Sequence, residues 1–138
     1  MNTPGNRLVI WGGAIVTLCG IGHSVGALIQ VAPTHAAAWL GGVLWEPVNQ
    51  NYLAFTPAMG ALWYTHYSFG LPLLLLGAMF LTLGLRGMAP PRLITAALML
   101  WAVIGEIASG LSPLILLVPA GILLLLGASR PREVAIRA

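Results

Sequence analysis

The chain encodes an all-α membrane protein, a bundle of four transmembrane helices, and three features of its 138 residues say so. Hydrophobic residues make up 59% and charged residues 7%, against the roughly 25% charged residues that hydrate a soluble domain. Four stretches stay apolar for about the 20 residues that cross a hydrocarbon core of roughly 30 Å. All six basic residues are arginines, and they fall where four crossings would put them on one face of the membrane. The same composition excludes intrinsic disorder, and a single cysteine excludes a disulfide framework.

The first span covers 8–31, 24 residues without a charge, and stops at Ala32-Pro33. Its length exceeds the roughly 7 to 15 apolar residues of a signal peptide. The span is therefore expected to be retained, although Ala36-Ala37-Ala38 offers small residues for cleavage. The second span covers 59–85, with a leucine run from Leu71 to Leu76. The third, 92–111, follows Pro90-Pro91, because proline suits a first helical turn but cannot continue a helix. The fourth, 112–128, carries Pro119 and is closed by Arg130-Pro131-Arg132. The short turn Ser109-Gly110-Leu111-Ser112-Pro113 folds the last two spans into an antiparallel hairpin, and 1–138 reads as one integral membrane domain.

Arg7 precedes the first span, Arg86 and Arg92 lie between the second and third, and Arg130, Arg132 and Arg137 follow the fourth. The loop from Ala32 to Ala58 and the turn near Gly110 hold neither Lys nor Arg. The positive-inside rule then places both termini in the cytoplasm and the long loop outside a bacterial inner membrane. That outer loop is apolar, with Trp39, Leu40, Val43, Leu44, Trp45, Tyr52, Leu53 and Phe55. An interfacial helix is expected over Ala36–Trp45, ended by Glu46-Pro47, with Asn49-Gln50-Asn51 as an exposed tip. Its rings read either as an interfacial belt or as a lid over a pocket between the helices. The arginines sit at helix ends without interleaved aromatics, so no nucleic-acid partner is expected.

Small residues mark where helices approach in lipid. Gly70, Gly77 and Gly84 recur every seven residues and cut a groove along the second span, and the first span carries Gly22-x-x-x-Gly26. These glycines serve packing within the bundle or a homo-oligomer. The scarcity of polar side chains argues against a water-filled pore.

The informative residues are the polar ones inside the spans. Glu106 sits in the third span, where an acid near the bilayer centre costs on the order of 2.5 to 3.5 kcal/mol. His23 lies in the first span and His66 in the second. At 1.5 Å rise per residue they fall about 5 Å (His23), 7 Å (Glu106) and 9 Å (His66) outward of their helix centres, one common layer. Each belongs to a stripe at i, i+3, i+4 spacing: Cys19, His23, Gly26 and Gln30; Trp63, His66 and Gly70; Thr95, Met99, Ala102, Glu106 and Ser109. A structural reading makes this a hydrogen-bonded pair that orients helices. A functional reading makes it an outward-facing polar pocket with Glu106 and His23 as acid–base candidates, walled by Cys19, Trp63, Tyr64, Tyr67, Trp101 and Ser109. Cys19 and His23 have the spacing of two metal ligands, but no further ligand completes a shell, so no metal site is assigned. A lone imidazole, His66 above all, could hold haem iron among Trp63, Tyr64, Tyr67 and Trp101.

The order Gly20-Ile21-Gly22-His23-Ser24-Val25-Gly26, Gly42-Val43-Leu44-Trp45, Trp63 followed by Gly70 and Leu73-Leu74-Leu75-Leu76-Gly77, and Gly105 with Ser109-Gly110 resembles a family of small four-helix bacterial membrane proteins of unknown function. The resemblance implies four helices with both ends cytoplasmic. In architecture the chain is also similar to membrane epoxide isomerases of the styrene oxide type, which hold haem through a histidine near the outer start of the second helix. His66 stands at that place, and Arg92 leads the third helix at comparable spacing. Where that family carries Ser-Gly-Pro-Ala-Leu-Asn, this chain reads Tyr67-Ser68-Phe69-Gly70-Leu71-Pro72, so the substrate-contacting asparagine has no counterpart.

Two functions are thus expected: a non-catalytic module binding a lipophilic small molecule or a partner helix, and an isomerase or cyclase of a lipophilic, epoxide-like substrate. The second would use Glu106 as acid or haem held at His66. Transport ranks below both, since no inverted repeat is evident.

Overall fold

The computed structural model describes residues 5–51 and 53–129, and the backbone alone at Ser109. Arg130, Arg132, Arg137 and Tyr52, used above, lie outside the described residues. Every regular element among those described is helical: α1 (Arg7–Gln30), α2 (Ala32–Leu40), α3 (Pro57–Leu62), α4 (Gly70–Leu85), α5 (Arg92–Ser109) and α6 (Leu117–Ala128). Short 3₁₀ turns fill Val43–Trp45, Pro47–Gln50 and Pro113–Leu116, and a π-turn joins α3 to α4 over Trp63–Tyr67. Two stretches, Arg7–Gln30 and Pro57–Leu85, are helices long and apolar enough to cross a membrane, and Pro113–Ala128 is a shorter apolar helix. In the two long ones only 33% and 28% of the most apolar window is buried, so most of their apolar surface faces outward.

The described chain forms two compact units, residues 5–17 with 75–129 and residues 18–74. The first is centred on Val9, Val16, Phe80, Leu117 and Leu124, all fully buried. Its helices meet at glycines. A Cβ on Gly12 would stand 2.6 Å from Leu124, one on Gly84 2.8 Å from Ile10, and one on Gly121 2.8 Å from Met99. Such close approach over glycine is how helices associate without a hydrophobic drive between them.

Asn6 caps α1 and ties three helix ends together. Its backbone N–H donates to the Gly84 carbonyl at 2.8 Å, and its side-chain amide donates to the Gly127 carbonyl at 3.0 Å. After α4, Gly87 takes a left-handed φ of 68°, and Met88 N–H returns to the Leu83 carbonyl at 2.8 Å, satisfying the frayed helix end. Pro91 then opens α5, where Thr95, fully buried, gives its hydroxyl to the Pro91 carbonyl at 3.1 Å.

In the second unit, α1 hands over at Val31 to α2, in whose first turn Pro33 sits without needing an N–H. The interfacial helix expected over Ala36–Trp45 thus begins earlier and ends at Leu40, where Gly42 turns left-handed at φ 85°. The loop beyond is folded on itself. Asn49, expected at an exposed tip, is buried: its amide donates to the Val43 carbonyl at 2.7 Å, and its oxygen accepts from Thr56, the N-cap of α3. Its carbonyl and amide both find partners there, which holds it inside. Gln50 and Asn51 remain exposed.

Candidate functional site

The helical stretch Pro57–Leu85 is interrupted within its length. Trp63–Tyr67 widen into a π-turn, Ser68 is extended at φ −73° and ψ −172°, and α4 restarts at Gly70. Pro72 explains the break. A continuous helix would need the residue-72 N–H to bond the Ser68 carbonyl, whereas proline has no N–H and its ring collides with that carbonyl. The wider turn also changes register. The expected inward stripe of Trp63, His66 and Gly70 is therefore corrected: Gly70 is buried, while Trp63 and His66 are exposed. Single π-turns inside helices concentrate at functional sites.

Gly70 restarts the helix hard against α1. A Cβ there would stand 3.0 Å from His23 Cδ2 and closer still to the Ser24 hydroxyl. The approach brings His23 onto the break, where its Nε2 and the Ser68 hydroxyl are 2.8 Å apart. The imidazole is enclosed by Phe69, 3.9 Å between ring centroids, and by Tyr64, edge-on at 5.1 Å. His23 is thus a half-buried pin between α1 and the interrupted helix.

His66 differs in every respect. Its Nδ1 lies 2.7 Å from the Thr65 hydroxyl, which also reaches the Ala61 and Leu62 carbonyls at 2.9 and 3.1 Å. Its Nε2 has no hydrogen-bond partner among the described residues. Trp39 of α2 meets the ring edge-on at 5.9 Å, stacks on His35 at 6.0 Å, and is anchored by its indole N–H to the Ala58 carbonyl at 2.9 Å. A second aromatic row runs Phe55, Trp63, Tyr67, with centroids 5.7 and 5.0 Å apart. Residues 18–74 carry one formal charge, Glu46, which is exposed. Three imidazoles, hydroxyls and aromatic rings without a fixed charge suit an uncharged, lipophilic ligand.

Of the residues expected at a site, Trp63, Tyr64, Tyr67, His23 and His66 belong to this unit and surround the break. Cys19 belongs to it as well, buried in α1, whereas Gln30 of its stripe is exposed and Gly26 has nothing within 4 Å of where a Cβ would stand. Thr65, Ser68 and Phe69 were not singled out and Phe55 was named only as part of the apolar outer loop, although Leu71-Pro72 after a run of polar and aromatic residues signals the break. Among the described residues no three His, Cys, Asp or Glu side chains gather into a metal-ligating group.

Glu106 and Trp101 belong to the other unit, on α5. Both Glu106 oxygens are taken inside its own turn, Oε2 by the Ser112 N–H and Oε1 by the Ser112 hydroxyl, each at 2.7 Å. That pair is how the acid is satisfied, by a residue six positions on. Trp101 is exposed, and the side chain of Ser109 lies outside the described residues. Compared with known proteins, the chain matches no family model, no curated protein and no solved structure.

Proposed function

We propose that the chain is a multi-pass protein of the bacterial inner membrane, crossing four times, whose interrupted second helix binds a lipophilic small molecule beside His66. The observation that carries this reading is the exposed His66 imidazole. It is fixed on one nitrogen by Thr65, has no hydrogen-bond partner on the other among the described residues, and stands beside the Trp39 ring in a segment with no buried charge. His23 acts here as a positioning residue that holds the break against α1. The bare faces of Gly22 and Gly26 support self-association of the chain.

The binding test uses protein reconstituted in nanodiscs and a long-chain lipophile brominated on its chain, because bromine quenches nearby indoles. Saturable quenching that disappears when Trp39 and Trp63 are both replaced by Phe supports the reading. Quenching that only rises linearly, as partition into lipid would give, overturns it. Reporter fusions after residues 50, 88 and 111 test the crossings. Outside, inside and outside are the sides expected.

A second reading draws on the same imidazole. A histidine that ligates iron commonly offers one nitrogen to it while the other bonds a neighbouring group, and His66 with Thr65 has that form. His66 would hold the haem, which would supply a Lewis acid to an epoxide-like substrate. A Soret band lost in His66→Ala but kept in His35→Ala supports this isomerase reading, and colourless protein purified from haem-replete cells removes it.

A further inference from the structure

The hydrogen count around His66 gives the site a polarity. The Thr65 hydroxyl has one proton and three neighbours: the Ala61 carbonyl at 2.9 Å, the Leu62 carbonyl at 3.1 Å and His66 Nδ1 at 2.7 Å. Neither carbonyl can bring a proton, so the hydroxyl proton goes to them and Nδ1 brings its own to the hydroxyl oxygen. The opposite arrangement would leave the Thr65 oxygen facing two carbonyl oxygens with no hydrogen between them. The neutral imidazole is therefore the Nδ1–H tautomer, and Nε2 presents a bare lone pair. Trp39 cannot supply the missing donor, because its indole N–H is already given to the Ala58 carbonyl. A ligand arriving beside His66 meets an acceptor next to the Trp39 ring.

We propose, building on the small-molecule reading above, that the ligand is a lipophile bearing a hydroxyl donor, an alcohol or phenol, whose O–H bonds to His66 Nε2. The site then selects against an ether or ketone of the same skeleton, which brings only acceptors. Thr65 is the positioning residue for that selectivity, since it holds the proton on Nδ1.

The test compares three chain-brominated probes in nanodiscs: a long-chain alcohol, its methyl ether and the matching methyl ketone. It is run at mildly alkaline pH. Each half-saturation is expressed as the mole fraction of probe in the nanodisc lipid, so differences in partition cancel and the remainder reports the bond. The alcohol is expected to half-saturate at about a tenfold lower concentration than the ether or ketone, the scale of one hydrogen bond. His66→Ala should erase the difference. Thr65→Val keeps the shape of the side chain and frees the ring to carry its proton on Nε2, so the ketone should gain relative to the alcohol. Equal saturable binding of the three probes by the native protein, or a preference that survives His66→Ala, overturns the proposal and leaves the binding reading standing. Failure of every probe to saturate overturns both.

Discussion

Glu106 spends both carboxylate oxygens on one residue, accepting the Ser112 N–H on Oε2 and the Ser112 hydroxyl on Oε1. Ser112 in turn accepts the Leu114 N–H on its hydroxyl oxygen at 3.1 Å, and the Gly110 N–H closes on the Glu106 carbonyl at 3.0 Å. One acid thereby organises the whole α5–α6 turn, with Gly110 supplying the left-handed φ of 82° that the reversal requires.

Replacing Glu106 by Gln leaves the shape but turns an amide N–H₂ toward one of the two Ser112 donors. A loss of about 1 to 3 kcal/mol is expected in detergent unfolding. Ser112→Ala should cost less, and the double variant should cost less than the sum, because the two residues share one interaction. Saturable binding of the brominated lipophile should survive Glu106→Gln. Loss of binding with stability unchanged would instead give Glu106 a chemical role.

Gly77 and Gly22 predict opposite outcomes for the same substitution. A Cβ on Gly77 would meet the Thr17 backbone, with Cα at 2.8 Å, so Gly77→Ala forces backbone apart and should cost roughly 1 to 3 kcal/mol. Nothing in the same copy lies within 4 Å of a Cβ on Gly22, so Gly22→Ala should stabilise the isolated chain by about 0.5 to 1 kcal/mol while weakening the self-association proposed through that face. Thermal unfolding of monodisperse protein reads both. A fall in stability for Gly22→Ala, together with a smaller particle by light scattering, would mean that a second copy occupies that face.

Pro72→Ala restores the N–H whose absence breaks the helix. Hydrogen exchange should then find a protected amide at position 72, and the segment should gain stability as Ser68 joins the ladder. The same change should weaken binding of the brominated lipophile, because a continuous helix rotates Trp63 and His66 out of their present facing.

Asn6→Ala removes an N-cap and the amide bond to Gly127 together. A loss of about 1 to 2 kcal/mol is expected, with faster amide exchange in the first turn of α1.

Much of this architecture was legible from composition and spacing. Uncharged length marked Arg7–Gln30 and the stretch up to Leu85, and the seven-residue recurrence of Gly70, Gly77 and Gly84 marked the seam where Ser24, Thr17 and Ile10 sit. The site was less legible, because depth along a helix fixes level but not azimuth. Glu106 stood at a level shared with two histidines, yet it is satisfied across its own turn by a serine. His23 likewise pairs with Ser68, which reaches it only because the helix breaks there. A π-turn leaves no trace in a hydropathy pattern, so 59–85 read as one uninterrupted span although Pro72 lies within it. Asn49 was read as surface because it is polar, whereas two loop partners satisfy it inside.

The placement of Glu46 as the lone formal charge between residues 18 and 74 sets what this half of the molecule can sense. An electric field across a bilayer works on charge, at about 2.3 kcal/mol per elementary charge per 100 mV, and between residues 18 and 74 it finds no formal charge but Glu46. Ionic strength acts through the same handle. Occupancy beside His66 should thus follow the ligand's concentration in the lipid, indifferent to voltage and to salt.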